Sequence, residues 1–279
     1  MRNFQHSFPN PKKMARYFAK FAVCALYDEL ALYPKPGLVS FIDSGAHQDM
    51  NGDLLFRSLF GLRHYYFQVG LQASLNTAPN QLINLGIQAE QRMHAITGGI
   101  NTHRGAIFAL GIFCTSICKL SHKYQQFSTQ DLQQAILSDW SEFLEKHHRN
   151  TDTHGVLVKQ KYAVSDAKQM AIEGYSLVFE LFHVLIETVE DKALFGLMAY
   201  QRLLLKMDDI NILYRTGTQG LAFARQKIQT LSFDNQHQAV QQAIDLHHLF
   251  SKKNISPGGV ADMLAVLYFL HYIFSGASS

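Results

Sequence analysis

The stretch Thr97-Gly-Gly-Ile-Asn-Thr-His-Arg-Gly-Ala-Ile-Phe-Ala-Leu-Gly111, continued by an apolar run to Cys118, decides how this chain folds. A polar, glycine-rich turn runs straight into a segment almost without charge. From Ala106 to Cys118 the residues are too apolar for a helix with one face in water, so the segment is predicted to be a buried helix. Gly98 and Gly99 permit positive φ and close backbone approach, and Asn101 or Thr102 can cap the helix. A helix start presents unpaired N–H groups, and with His103 and Arg104 in its first turn it is a candidate anion site. An ordinary capped core helix carries the same signature, so on this stretch alone the two readings stand level.

Outward from there the chain keeps the helical period. Met14, Phe18, Phe21, Ala22, Ala25, Leu26 and Leu30 recur at three- and four-residue spacing until Pro34 and Pro36 stop the pattern. Helices are expected over 54–75 and 81–96, divided by Asn76-Thr-Ala-Pro79, and from Ser128 or Thr129 through Trp140. Further helices are expected over 163–184, broken at Gly174, and over 192–207, 221–228 and 236–250, with a last one opened by Ser256 as N-cap and Pro257 as first helical residue. No stretch shows sustained strand alternation, and no repeat or linker divides the chain. The fold expected is all-α, a single domain over residues 1–279 of roughly ten to twelve helices, with residues 1–11 as a flexible arm punctuated by Pro9 and Pro11.

Composition narrows the function. The chain has 279 residues, 47% hydrophobic and 17% charged, enough for a large core. Lys plus Arg is 25 against 22 acidic residues, a net charge of +3, which is not the basic footprint of a nucleic-acid binder. Cys24, Cys114 and Cys118 form no CxxC pair and suit a reducing cytoplasm. The basic start lacks a small-residue cleavage site, so no signal peptide is expected. The two most apolar runs, 106–118 and 263–274, fall short of the roughly 20 residues that span a bilayer, so no membrane association is expected.

The chemistry-bearing groups sit between the apolar runs. A long connection over 33–50 carries Lys35, Asp43, His47 and Asp49, and such a loop is a functional candidate or a capping surface loop. Glu90 precedes His94 by four residues and shares its helix face, pointing toward the glycine turn. Asp208, Asp209 and Asn211, with Arg215 nearby, could hold a hard cation such as Mg²⁺ through oxygen, although an acidic turn between helices explains the same residues. Gly258 and Gly259 follow Ser256, and Asp262 then falls in a helix otherwise made of Met, Leu, Val and Phe. A carboxylate there is costly without a cation, an Arg or a ligand hydroxyl as partner. His147, His148 and Arg149 follow helix-dipole preference better than zinc-ligand spacing, while Asp152 and His154 are retained as ligand contacts.

In order along the chain, Lys-Pro-Gly-Leu-Val at 35–39, Gly-Ala-His-Gln-Asp-Met at 45–50 and the 97–111 stretch resemble the triphosphoribosyl-dephospho-CoA synthases. Thr-His-Gly at 153–155, the element from Asp209 to Gly217 and Ser-Pro-Gly-Gly-Val-Ala-Asp-Met-Leu-Ala at 256–265 extend the likeness over nearly the whole chain. The pattern departs from the family at Ala46, Thr153, Thr218 and Val260. Asp43-Ser-Gly-Ala-His47 and Phe56-Arg-Ser-Leu59 resemble the branch that serves malonate decarboxylase more than the branch that serves citrate lyase.

The resemblance implies an enzyme that joins ATP to 3′-dephospho-CoA. The 2′-hydroxyl of dephospho-CoA attacks C1′ of the ATP ribose and adenine leaves, giving the precursor of an acyl-carrier prosthetic group. The acyl-carrier subunit or its holo-synthase would act downstream, and the surface helices leave room for a homodimer contact. On this reading Asp49, Asp209 and Asp262 serve Mg²⁺ or the reacting hydroxyl and oxocarbenium centre, with Glu90 a further acid/base group. Lys35, Arg104, Arg215 and the backbone of Gly98, Gly99, Gly258 and Gly259 hold phosphates, with Asn101 and Ser256 beside them, and His47 and His103 serve adenine or ribose. The alternatives are a metal-dependent all-α nucleotide phosphohydrolase and a non-catalytic nucleotide-binding helical protein.

Overall fold

The computed structural model describes residues 2–147, 164 and 166–275. The candidates Asp152 and His154 and the Thr153–Gly155 motif, together with His148 and Arg149, lie outside them. The described chain is all-α apart from one pair of three-residue strands. Its helices are α1 (Pro11–Ala31), α2 (Gly52–Gly61), α3 (Arg63–Ser74), α4 (Pro79–Thr97), α5 (Arg104–Lys123), α6 (Thr129–Ile136), α7 (Glu142–Lys146), α8 (Ala167–Ile172), α9 (Ser176–Thr188), α10 (Lys192–Lys206), α11 (Ile210–Ile228), α12 (Gln236–Lys252) and α13 (Gly258–Phe274). A π-helical turn, Leu137–Ser141, joins α6 to α7 around the buried Trp140.

The helix expected from 106–118 is α5, and every residue from Ala109 to Cys118 is buried. At twenty residues it is longer than the apolar run and long enough to cross a bilayer, but it lies in the core against α1, α3 and α13. Those neighbours present matching apolar faces: Phe18, Ala22 and Leu26 from α1, Tyr66 and Val69 from α3, and Leu264, Leu267 and Phe269 from α13. Asn10 caps α1 through a 3.0 Å bond from the Lys13 N–H, with Pro11 in the first turn, and a capping box of Ser128 and Asp131 opens α6.

Three expectations need correction. The helix expected over 54–75 is two helices that break at Leu62, where Gly61 leaves room for the Ile96 side chain of α4. The 208–220 connection is mostly helical, because Asp209 caps α11 and starts it at Ile210; only Gly217, at φ 67 and ψ −168, interrupts it. Arg215 therefore projects from a helix and not from a loop.

The N-terminal arm is held in place. Asn3–Gln5 pairs antiparallel with Gln126–Ser128, and Phe4 is buried among Phe8, Tyr17, Phe18 and Phe127 at ring-centroid distances of 5.0–6.4 Å. Of the prolines read as punctuation for disorder, Pro11 instead opens α1. Phe4→Ala should cost about 3 kcal/mol of stability, the usual cost of deleting a buried ring, read as a lower urea midpoint at unchanged slope. An unchanged midpoint would mean that the arm adds nothing to the fold.

Candidate active site

The site is built where three helices begin. Asp209 is buried just before α11; its Oδ1 accepts from the N–H groups of Asn211 at 2.9 Å and Ile212 at 3.0 Å. Its Oδ2 accepts from the Val260 N–H of α13 at 2.9 Å, so one carboxylate joins two helix starts. Gly258 and Gly259 allow this approach: a Cβ at Gly258 would lie 2.6 Å from the Asn211 amide nitrogen, and one at Gly259 3.0 Å from Asp209 Oδ2. Burial outweighs the amide bonds and pushes the Asp209 pKa up to about 6.

One turn on, Asp262 of α13 reaches the third start, α5. It accepts the Ala106 N–H, and only glycine fits at 105, where any Cβ would collide with the carboxylate. Asp262 keeps some accessible surface yet is largely enclosed by protein. Burial, and then the negative charges of Glu29 and Asp209, hold its pKa well above the ordinary carboxylate range. The partner expected for Asp262 is thus a helix N-terminus.

Beside this relay lies a buried ion pair. Lys35 is wholly buried, and its ammonium donates to the backbone carbonyl of Glu29 and, at 2.5 Å, to the Glu29 carboxylate. Desolvation lowers the Lys35 pKa against the pull of Glu29. Lys35, expected at a phosphate, therefore gives its charge to α1. His103 is buried at the start of α5; its Nδ1 lies 2.9 Å from Ser58 Oγ and 3.1 Å from Thr102 Oγ1, and its Nε2 has no hydrogen-bond partner. Burial first, then the Lys35 charge, lowers its pKa to about 4.

A second cluster forms where the 33–50 loop meets α11 and the start of α13. Arg215 donates to the Ala46 carbonyl at 3.0 Å, to Asn254 Oδ1 at 2.7 Å and to His47 Nδ1 at 3.1 Å. His47 Nδ1 is shared between this guanidinium donor and the acceptor Asp49, and its Nε2 lies 2.7 Å from Ser256 Oγ. Burial and Arg215 keep this ring neutral-leaning, against the opposing pull of Asp49. Ser256 is thereby taken from the capping role expected of it, and Pro257 stands at the N-cap. Asp49 is largely exposed, 3.3 Å from His47 Nδ1. A pocket of about 510 Å³ opens here, lined by His47, Arg215, Lys252 and Asn254. A second, of about 460 Å³, lies beside α7 and is lined by none of the candidate residues.

The remaining candidates fall on the outer side of α5. Arg104 and Glu90 form an ion pair at 3.2 Å. His103, not Asn101 or Thr102, stands at the N-cap of α5, and Asn101 Oδ1 accepts the Arg104 N–H at 3.1 Å from two residues before it. Gly98 and Gly99, at φ 67 and 94, end α4: the Gly99 N–H donates to the His94 carbonyl at 2.8 Å. No other group lies within 4 Å of a Cβ built at either glycine, so both border open space.

Among the described residues no group of three or more His, Cys, Asp or Glu side chains is placed to hold a metal ion. The site also contains residues that the sequence reading passed over. Glu29 and Ser58 each sit among apolar positions of a buried helix face, and a polar residue at such a position was the available signal. His247 ties the loop down, with Nδ1 2.8 Å from the Lys35 carbonyl and Nε2 2.7 Å from Asp43; nothing in its local sequence marks it.

A family model described as ATP:dephospho-CoA triphosphoribosyl transferase matches residues 15–279. The chain is 30% identical to a probable 2-(5''-triphosphoribosyl)-3'-dephosphocoenzyme-A synthase of Acinetobacter calcoaceticus, over 95% of this chain and 94% of that protein. It is also 30% identical to a protein of the same description from Salmonella typhimurium, over 91% and 89%. Protein CitXG of Haemophilus influenzae matches at 30% over 92% of this chain, which spans only 60% of that longer protein. No solved structure matches.

The burial of His103 has a measurable consequence. Its folded pKa of about 4 lies below the ordinary 6.5, so the unfolded chain binds the proton more tightly. Stability from this group is therefore full above about 6.5 and lost as pH falls toward 4, by about 3 kcal/mol over the window. Urea titrations between pH 7 and 4 should show a shallower decline in His103→Gln than in wild type, and parallel declines would mean that the ring is not held neutral.

Proposed function

The chain belongs to the ATP:dephospho-CoA triphosphoribosyl transferase family, and on that premise we propose how its residues share the reaction and which pathway it serves. The observation that carries the assignment is Asp262, a largely enclosed carboxyl group held at the start of α5 with its pKa raised. In the reaction, C1′–N9 of ATP breaks with its electron pair on the purine, and the 2′-hydroxyl oxygen of dephospho-CoA forms the new bond to C1′. One proton, lost by the hydroxyl and gained by the purine, closes the balance. A carboxyl whose pKa is raised by burial suits the purine side, and Glu90, beside Arg104, is the carboxylate we assign to the hydroxyl.

Phosphates would be met by Arg104 and by the Arg215 pocket, where Lys252 adds a second positive charge. The three carboxylates expected at Mg²⁺ suit it unequally. Both Asp209 oxygens are already bonded to backbone N–H groups, and Asp262 is engaged at α5, whereas exposed Asp49 suits a cation. Mg²⁺ in nucleotide sites commonly takes one or two carboxylates and completes its shell with phosphate and water oxygens. We therefore assign the ion to the ATP triphosphate with Asp49 as its protein contact, where it would offset phosphate charge.

Asp43-Ser-Gly-Ala-His47 and Phe56-Arg-Ser-Leu59 support the malonate decarboxylase branch, with the product passing to an acyl-carrier subunit through its holo-synthase. Both stretches supply site contacts, from Asp43 to His247 and from Ser58 to His103. Three unbridged thiols, Cys24, Cys114 and Cys118, support a cytoplasmic setting.

Incubation with ATP, dephospho-CoA and Mg²⁺ should release adenine only when dephospho-CoA is present; released phosphate would favour a hydrolase, and no chemistry a binding protein. Asp262→Asn should lower kcat at least about 100-fold with the circular-dichroism spectrum unchanged, and near-normal adenine release would remove Asp262 from the mechanism. Arg104→Ala should weaken ATP more than dephospho-CoA in equilibrium binding, and the reverse ranking would move the α5 start to the other substrate.

A further inference from the structure

Ser58 is fully buried on α2, and its hydroxyl lies between two groups at the start of α5, 2.7 Å from Thr102 Oγ1 and 2.9 Å from His103 Nδ1. The three atoms close a triangle, since Thr102 Oγ1 is also 3.1 Å from His103 Nδ1. Two hydroxyl protons must be placed within it. If Nδ1 carried a proton, it would donate to one hydroxyl, that hydroxyl to the other, and the last proton would have no acceptor inside the triangle. If Nδ1 is bare, Thr102 donates to Ser58 and Ser58 donates to Nδ1, and every proton is used. The ring proton then sits on Nε2, which is buried and without a protein partner.

A buried donor with no acceptor is costly, commonly retained because a ligand supplies the missing atom. The surroundings fit a donor better than an acid: the Lys35 ammonium and burial both disfavour a charged ring. We propose that Ser58 is a positioning residue that fixes the tautomer of His103, so that Nε2–H is offered as a neutral hydrogen-bond donor to an acceptor on the nucleoside half of ATP. This rests on the transferase reading for its ligand, but not for its tautomer. A preset neutral donor aids bond breaking without itself changing charge, by stabilising charge that develops on its acceptor.

The tautomer is read directly. In protein carrying ring-¹⁵N histidine, with the His103 signals assigned by their loss in His103→Gln, Nε2 should show the protonated, pyrrole-like shift and Nδ1 the bare, pyridine-like shift. The opposite pattern, or an imidazolium at neutral pH, overturns the proposal. Ser58→Ala should convert the resonances to a tautomer mixture and lower kcat about tenfold, with KM for dephospho-CoA unchanged. Ser58→Thr, which keeps the hydroxyl, should restore both; if it restores neither while melting as wild type, Ser58 does not act through His103. Two ATP analogues locate the acceptor: 7-deaza-ATP removes a purine nitrogen and 3′-deoxy-ATP a ribose oxygen. For one of them, His103→Gln should cost no further activity, whereas full additivity for both removes the contact to ATP. A correct tautomer with no adenine release from wild type would keep the positioning role and sink the transferase reading instead.

Discussion

Backbone N–H groups at three helix starts need acceptors, and two internal carboxylates supply them. Asp209 receives the first turns of α11 and α13, and Asp262, one turn into α13, receives α5. The start of α13 is therefore both acceptor-bound and acceptor-bearing, and it fixes α11 and α5 relative to one another. Charge-assisted bonds of this kind are worth roughly 1.5–3 kcal/mol each, and removing one buried partner costs more because the other is left unpaired. Glycine at 105 and 259 follows from the same constraint, since a Cβ there would crowd Asp262 and Asp209, while Gly258 makes room for the Asn211 side chain.

The constraint also shapes the chemistry. Burial raises the pKa of both acids, the charges of Glu29 and Asp209 raise that of Asp262 further, and the backbone N–H groups only partly offset this. Lys35 is too far committed to Glu29 to neutralise the group in full. The result is a carboxyl at Asp262 that resists ionisation next to an imidazole at His103 that resists protonation. Burial thus favours the neutral form of both groups.

The 33–50 loop is what turns helix ends into a site. It reaches the α12–α13 connection because Gly37, at φ 77, packs directly on the Ile255 carbonyl, and His247 holds both ends of the loop through Lys35 and Asp43. Tyr200 fixes its middle through a 2.6 Å bond to the Pro36 carbonyl. His47 is thereby delivered to Ser256 and Arg215, residues more than 160 positions away in the chain. Among the described residues, this loop brings the motifs at 35–39 and 45–50 to those at 209–217 and 256–265.

The apolar periods, the proline and glycine stops and the buried run behind His103 were enough to set the all-α class and most helix bounds, because local pattern and core burial agree along those segments. The residue types of the site were legible too, since Asp262 in an apolar helix and glycine pairs beside charged groups are visible without a fold. The sequence could not say which partner each charge has. Asp209 reads as a cation ligand until α13 arrives to take its oxygen, and Lys35 reads as a phosphate contact until α1 presents Glu29. Phe4 reads as part of a loose arm until the strand Gln126–Ser128 and α1 enclose it. Partner choice depends on desolvation and on contacts between distant segments, and for that reason the start of α5, evenly balanced as a sequence, became a site only once Asp262, Ser58 and Lys35 were packed around it.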